Sequence, residues 1–334
     1  MHMIRASHPA QEPAPMAAVS VFAPARLHLG FFDLDGALGR RFGSLGITLD
    51  ELGTEVTVAR SPRTRVEGPD GDRALAAYTA IARRLGLPDT AEITVRRAVP
   101  PHTGLGSGTQ IALAAGTAAA VLAGVDWPAR RIAALLGRGK RSGIGIAAFA
   151  DGGVAVDGGC APGGGIAPVI CRMAFPEDWR IVLIFDHARQ GVHGAAETAA
   201  FVDPPPFRDA PDLCRLMLMQ ALPALAEGDA ERFGDAVGRL QRAMGAHFAP
   251  RQGGGCFTSP DVARALARFE AQGIAGVGQS SWGPTGFAIV GDAGRAAALA
   301  ADARAAFADT PGLEFRVCRG RNRGADITPP GVAG

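Results

Sequence analysis

The sequence predicts an α+β protein built in two halves. Three observations carry the prediction. The first hundred residues are rich in β-type segments; a continuous apolar run, WRIVLIFD (179–186), opens a second set of strands and helices; and the character of the sequence changes across a join near 160–180. With 334 residues the chain is long enough for two cores.

The elements follow in order. Residues 19–29 (VSVFAPARLHL) alternate near their end as a strand does, and 46–50 and 54–59 read as two more strands. Residues 72–86 have helical spacing and close at Gly86 and Pro88. AEITVRRAV (91–99) is a strand with β-branched residues at alternate positions. An Ala-rich helix runs from about Gln110, and Pro128 at a first helical position opens another. GGVAVDGG (152–159) is a short strand between glycines. In the second half 179–186 is a buried strand, 193–201 a helix, and 211–247 two helices parted near Gly228-Asp229. Ser259 as N-cap and Pro260 behind it open a helix ending at Gly273. A strand at 286–291, a helix and a strand at 314–320 complete the chain. The expected organisation is a tail (1–18), an N-terminal domain (19–170), a C-terminal domain (171–322) and a second tail (323–334).

Composition excludes several classes. Net charge is +2, Tyr78 is the single tyrosine, and basic and aromatic residues do not interleave, so no nucleic-acid partner is expected. The five cysteines are widely spaced without a C-x-x-C pair, which suits reduced core thiols in a cytoplasm. The N-terminus lacks an apolar signal region, and the longest apolar run (111–125) is too short and Ala-rich to span a bilayer.

Three glycine segments hold the candidate chemistry. PPHTGLGSGTQ (100–110) lies between a strand and a long helix. Glycines there let backbone N–H groups converge, and the helix N-terminus adds partial positive charge, so phosphate is the natural ligand. A plain capped turn would not need three glycines. GRGKRSGIGIAAFADGG (137–153) sets Arg138, Lys140 and Arg141 on a bare backbone, with no acid until Asp151. A solvated basic turn after a helix accounts for Arg138 but poorly for Lys140-Arg141-Ser142-Gly143. GVGQSSWGPTG (276–286) packs Gln279, Ser280, Ser281, Trp282 and Thr285 between two strands, and serves equally as a tight connection or a ring- or sugar-binding loop. Neither Walker A nor a dinucleotide fingerprint is present in usable form.

The order of these motifs resembles the GHMP kinase superfamily: a PARLHLG strand end, a P-x-x-G-L-G-S-G loop before a helix, and a late G-x-G loop before a strand. The resemblance implies a ribosomal protein S5 domain 2-like N-terminal domain and a ferredoxin-like α+β C-terminal domain. In such kinases a Ser-Gly-x-Asp run supplies the aspartate that serves the attacking hydroxyl. Here the run is Ser142-Gly143-Ile144-Gly145, and glycine cannot orient or deprotonate a nucleophile. Five segments (RLHLGFFDL, RSGIGIAAF, GGVAVDGG, GVHGAAE and GQSSWGPTG) are more specifically similar to the β-ribofuranosylaminobenzene 5′-phosphate synthase family.

That resemblance implies a decarboxylating phosphoribosyl transfer in methanopterin-type C1-carrier biosynthesis. 5-Phosphoribosyl 1-diphosphate is joined to 4-aminobenzoate, releasing diphosphate and carbon dioxide, with magnesium expected and its ligands unassigned. It also implies a homodimer. On it, Gly104, Leu105, Gly106, Ser107, Gly108 and Thr109, with Lys140, Arg141 and Ser142, are expected to bind phosphates. Arg26 and His28 are expected at the 5′-phosphate or the aromatic carboxylate, and Ser280, Ser281, Trp282 and Thr285 at the ring or sugar. The alternatives are an ATP-dependent small-molecule kinase of the same superfamily and a non-catalytic sensor of a phosphorylated metabolite.

Overall fold

The structure, a computed structural model, describes residues 17–189, 191, 201, 206–252, 254–281 and 283–329. The N-terminal half is built on a long antiparallel pair, β1 (Ala18–Asp33) and β2 (Phe42–Arg60). A short β3 (Arg65–Glu67) and helix α1 (Gly71–Arg84) lead to β4 (Ala91–Arg97), which pairs with β2. Helix α2 (Ser107–Leu122) follows, then α3 (Ala129–Leu135) and α4 (Ile144–Ala150). Strands β5 (Val154–Asp157) and β6 (Val169–Met173) extend the sheet from β2.

The C-terminal half begins with β7 (Arg180–Asp186). Helix α5 (Ala210–Leu216) passes through a π-helical turn (Met217–Ala221) into α6 (Leu222–Glu227), and Gly228 in the left-handed region ends it. Helices α7 (Ala230–Phe248) and α8 (Pro260–Ala271) come next, capped by the side chains of Asp229 and Ser259. Then follow β8 (Val277–Gln279), β9 (Gly286–Val290), α9 (Ala293–Ala306), β10 (Leu313–Cys318) and β11 (Asp326–Thr328). The sheet order here is β10-β7-β9-β8, all antiparallel.

Two expectations change. The segments 46–50 and 54–59 are one strand, β2, because it bends rather than breaks: Pro24 pairs with Gly53 but Arg26 with Thr48. Residues 326–328, expected in a tail, form β11 against β1, so the chain ends its described path back in the N-terminal sheet. The helix expected at 193–201 lies outside the described residues apart from Phe201.

Three packed layers of core explain the order of elements. Val19, Val21 and Ala23 face α1 and α2. Beyond them Leu27, Leu29 and Phe31 enter a core shared with Leu183, Phe233, Leu240 and Phe287 of the C-terminal half. Strand β7 is buried on both faces, as its unbroken apolar run requires: Ile181 and Leu183 serve the shared core, while Val182 and Ile184 pack with Leu266 and Phe269. The two halves therefore meet along the second part of β1, and the polar residues of that stretch border the interface.

Candidate active site

Arg26 and His28 sit two apart on β1, so they share the face opposite Leu27 and Leu29. A bulge between His28 and Gly30 turns the strand here. The three segments marked out by sequence converge on this point. The Gly104 carbonyl accepts from Arg26 Nη1 (2.5 Å) and from Ser280 Oγ (2.8 Å). Ser280 Oγ in turn accepts from the His28 N–H (3.0 Å), and the Ser281 N–H donates to the His28 carbonyl (3.2 Å).

The glycines permit this closeness. A Cβ on Gly104 would lie 2.0 Å from the Ser280 carbonyl oxygen, and one on Gly283 2.1 Å from the Thr103 carbonyl. Gly104 also has φ of 81°, in the left-handed region.

A cavity of about 240 Å³ opens beside these loops. Arg26, His28, Thr109, Arg138, Lys140 and Arg141 line it, together with Ser142, Phe201 and Ser281, and none of its lining among the described residues is a carboxylate. From the first turn of α2, which begins at Ser107 after Gly106 with no side-chain cap, Thr109 reaches the cavity, whereas Gly106, Ser107 and Gly108, expected at the phosphates, are not among its lining residues. Arg138 lies alongside: its Nη1 is 3.5 Å from where a Gly108 Cβ would stand. Burial, and then Arg73, lowers the Arg138 pKa from its ordinary value, and its Nε is buried without a hydrogen-bond partner. Arg141 stacks over Phe201, its guanidinium carbon 4.9 Å from the ring centroid.

The cationic loop is held from beneath by an acid that sequence reading passed over. Asp157 on β5 is 1% exposed. Its Oδ2 accepts from Ser44 Oγ (2.6 Å), Ser142 Oγ (3.1 Å) and the Gly143 N–H (2.8 Å), and its Oδ1 from the Gly159 N–H (3.0 Å). Burial raises its pKa, and these four bonds oppose the rise. Gly145 belongs to α4, and its position packs against the side chain of Thr109 while its carbonyl accepts from Gln110 Nε2 (2.8 Å).

The expected site residues divide accordingly. Thr109, Lys140, Arg141, Ser142, Arg26, His28 and Ser281 line the cavity. Gly104 and Ser280 fasten the loops to one another, and Leu105 is buried in the shared core. Thr285 is fully buried, its carbonyl accepting from the Ser280 N–H, so it shapes the late loop from behind rather than lining the cavity. Trp282 lies outside the described residues, as does the GVHGAAE segment apart from Gly191. Arg138, set aside in the sequence as a helix-end cation, belongs with the lining residues. Its signal was available: it stands on the same glycine-bare loop as Lys140. As for magnesium, no three His, Cys, Asp or Glu side chains gather into a metal-binding group among the described residues.

His28 sits at a junction. It lines this cavity and also a narrow slot of about 40 Å³, bounded by Phe31, Gln241, Met244, Phe248, Gln252 and Gln279. Its ring is 3% exposed, and neither nitrogen has a hydrogen-bond partner. Burial first, then Arg26 and Arg141, pushes its pKa down to about 3, so the imidazole is neutral around pH 7. The unfolded chain takes up this proton near pH 6.5 and the folded chain only near 3. Stability from His28 is thus complete above pH 6.5 and is lost as pH falls towards 3, by up to about 1.4 kcal/mol per unit. His28→Leu is expected to flatten the pH dependence of the denaturation midpoint in that window. Equal slopes in the two proteins would refute the assignment.

Comparison with known proteins agrees with this arrangement. Residues 72–153 match the GHMP kinases N-terminal domain and 221–309 the GHMP kinases C-terminal domain. Homoserine kinase from Cytophaga hutchinsonii has the same fold, with a TM-score of 0.64, 17% identity, and coverage of 96% of this chain and 100% of that one. Two relatives are named β-ribofuranosylphenol 5′-phosphate synthase. The one from Methanothermobacter thermautotrophicus is 34% identical over 90% of this chain and 96% of its own length. The one from Archaeoglobus fulgidus is 35% identical over 91% and 97%. The chain is an enzyme of the β-ribofuranosylphenol 5′-phosphate synthase family, built on the GHMP kinase fold.

Proposed function

We propose that the chain transfers the ribosyl 5-phosphate group of 5-phosphoribosyl 1-diphosphate to a ring carbon of a para-substituted benzoate, releasing diphosphate and carbon dioxide. The observation that carries this reading is that a cationic cavity, with no carboxylate among its described lining residues, shares His28, Phe31 and Ser281 with a narrow slot lined largely by apolar side chains. The first suits a diphosphate ester, and the second admits the leading edge of an aromatic ring with its substituent.

The electron flow fits such a site. The C1–O bond breaks and its pair leaves with diphosphate, towards Arg138, Lys140 and the start of α2. A ring π pair forms the C1–C bond at the carbon bearing the carboxylate. The C–CO2 bond then returns its pair to the ring. No base is consumed, in keeping with the absence of an acid at position 145. Neutral His28 suits the junction because a further full positive charge there, beside Arg26 and Arg141, would repel the oxocarbenium-like sugar. Its unpartnered nitrogens can bond the ring carboxylate or a sugar hydroxyl.

Two acceptors follow. 4-Aminobenzoate is the acceptor expected from the sequence resemblance. The relatives' name specifies a phenol product, which 4-hydroxybenzoate would give. The test uses purified protein, 5-phosphoribosyl 1-diphosphate and each carboxyl-labelled benzoate in turn. Equal release of labelled carbon dioxide and diphosphate, dependent on both substrates, is the expected result. Diphosphate release that does not need the benzoate, or no release with either, would defeat the proposal.

A further inference from the structure

The slot is too small for a whole ring, since a dry cavity that takes benzene is ~150 Å³. At about 40 Å³ it admits a substituent and the leading ring edge, with the ring body across His28, Phe31 and Ser281. A ring whose reacting carbon faces the cationic cavity points its para substituent inward. The polar wall of the slot is a chain of glutamine amides whose orientations are fixed by bonds that only donors can make.

The Thr258 N–H donates to one amide atom of Gln279 (2.7 Å), and a backbone N–H requires that atom to be the oxygen. Thr258 Oγ donates to the same oxygen (2.8 Å). Gln279 Nε2 therefore faces outward, donating to the Ser281 carbonyl (3.1 Å) and to Gln252 (3.2 Å). Gln252 must then offer Oε1 to Gln279, which leaves its NH2 group for a ligand. Gln241 is already spent at both ends: Nε2 donates to the Leu29 carbonyl (2.6 Å) and Oε1 accepts from the Gln279 N–H (2.8 Å).

We propose that Gln252 is a specificity-determining residue, whose NH2 group selects an oxygen over a nitrogen at the acceptor's para position. This rests on the transferase reading above for the identity of the ring. A phenol or phenolate oxygen accepts from that NH2. An arylamine commits its lone pair to the ring and presents N–H, so two donors face one another in a half-enclosed site. Electron density flows from that oxygen into the ring as the ring attacks, and the same donor meets the charge that returns to the oxygen when carbon dioxide leaves.

Calorimetry on the full chain with inorganic diphosphate present, so that the benzoate carboxylate does not occupy the cationic cavity, tests this without turnover. Wild type is expected to bind 4-hydroxybenzoate about tenfold tighter than 4-aminobenzoate. Gln252→Glu, which offers only acceptors, should bring the two within about twofold by strengthening the amine. Gln252→Leu should weaken 4-hydroxybenzoate about tenfold and leave 4-aminobenzoate unchanged. An affinity ratio that is the same in all three proteins overturns the proposal, as does failure of wild type to bind either compound. Turnover measured alongside separates the two readings. Product with an unmoved ratio removes Gln252 from the site and keeps the transferase. A moved ratio without product keeps Gln252 and removes the transferase.

Discussion

Arg138→Ala is expected to lower kcat/KM for 5-phosphoribosyl 1-diphosphate by about 100-fold or more, the scale seen when a preorganised group that meets leaving-group charge is removed. Lys140→Ala should cost less, on the order of tenfold, mainly through KM. The difference follows from surroundings. Lys140 is exposed, so water and salt screen its attraction to phosphate. Arg138 is half-buried beside the first turn of α2, with no ion pair among the described residues. Its charge is stronger there and is uncompensated until an anion arrives. A second readout follows. Inorganic diphosphate should raise the melting temperature of wild type and not of Arg138→Ala, while the variant without ligand melts no lower than wild type. A clear loss of ligand-free stability with the diphosphate response intact would make Arg138 a structural residue instead.

The residues that failed to announce themselves share a physical character. Glycine segments and their cations were legible because bare backbone and clustered charge are local properties of the chain. The continuous run at 179–186 was legible for the same reason, as burial on both faces leaves no alternation. Asp157 was not. It lies on the next strand, and only the pairing of β5 with β2 brings it under Ser142 and Gly143. Ser280 and Thr285 misled in the opposite direction. Their hydroxyl-bearing side chains suggested contact with ligand, but the close approach of Gly104 and Gly283 turns Ser280 into a fastening between loops and leaves Thr285 behind them. The strand β11 was hidden by its length, three residues with no repeat of pattern to read. Gln252 stood in a glycine-rich turn, and its role needs the fixed amides of Gln279 and Thr258.

Asp157→Ala should be the more damaging change to the fold of the site. Removing the carboxylate takes the acceptor from the Gly143 and Gly159 N–H groups and from one of the Ser44 and Ser142 hydroxyls, which lie 2.7 Å apart and can keep one bond between them. With about 1–3 kcal/mol for each unsatisfied group and some relief from water entering the gap, a loss of roughly 3–5 kcal/mol is expected. The loop from 137 to 143 would no longer be pinned, so the cations lose their fixed positions and activity falls with stability. Asp157→Asn separates the two effects. Its amide oxygen can keep the Gly143 N–H and the hydroxyl bonds at the Oδ2 place, while its NH2 opposes only the Gly159 N–H, so the stability loss should be under half that of alanine. Urea denaturation of both variants, with diphosphate binding measured on the folded fraction, checks this. If alanine and asparagine destabilise equally, the acid is held for its charge. If neither destabilises, the bonds from Ser44, Ser142 and Gly143 are not what sets the loop in place.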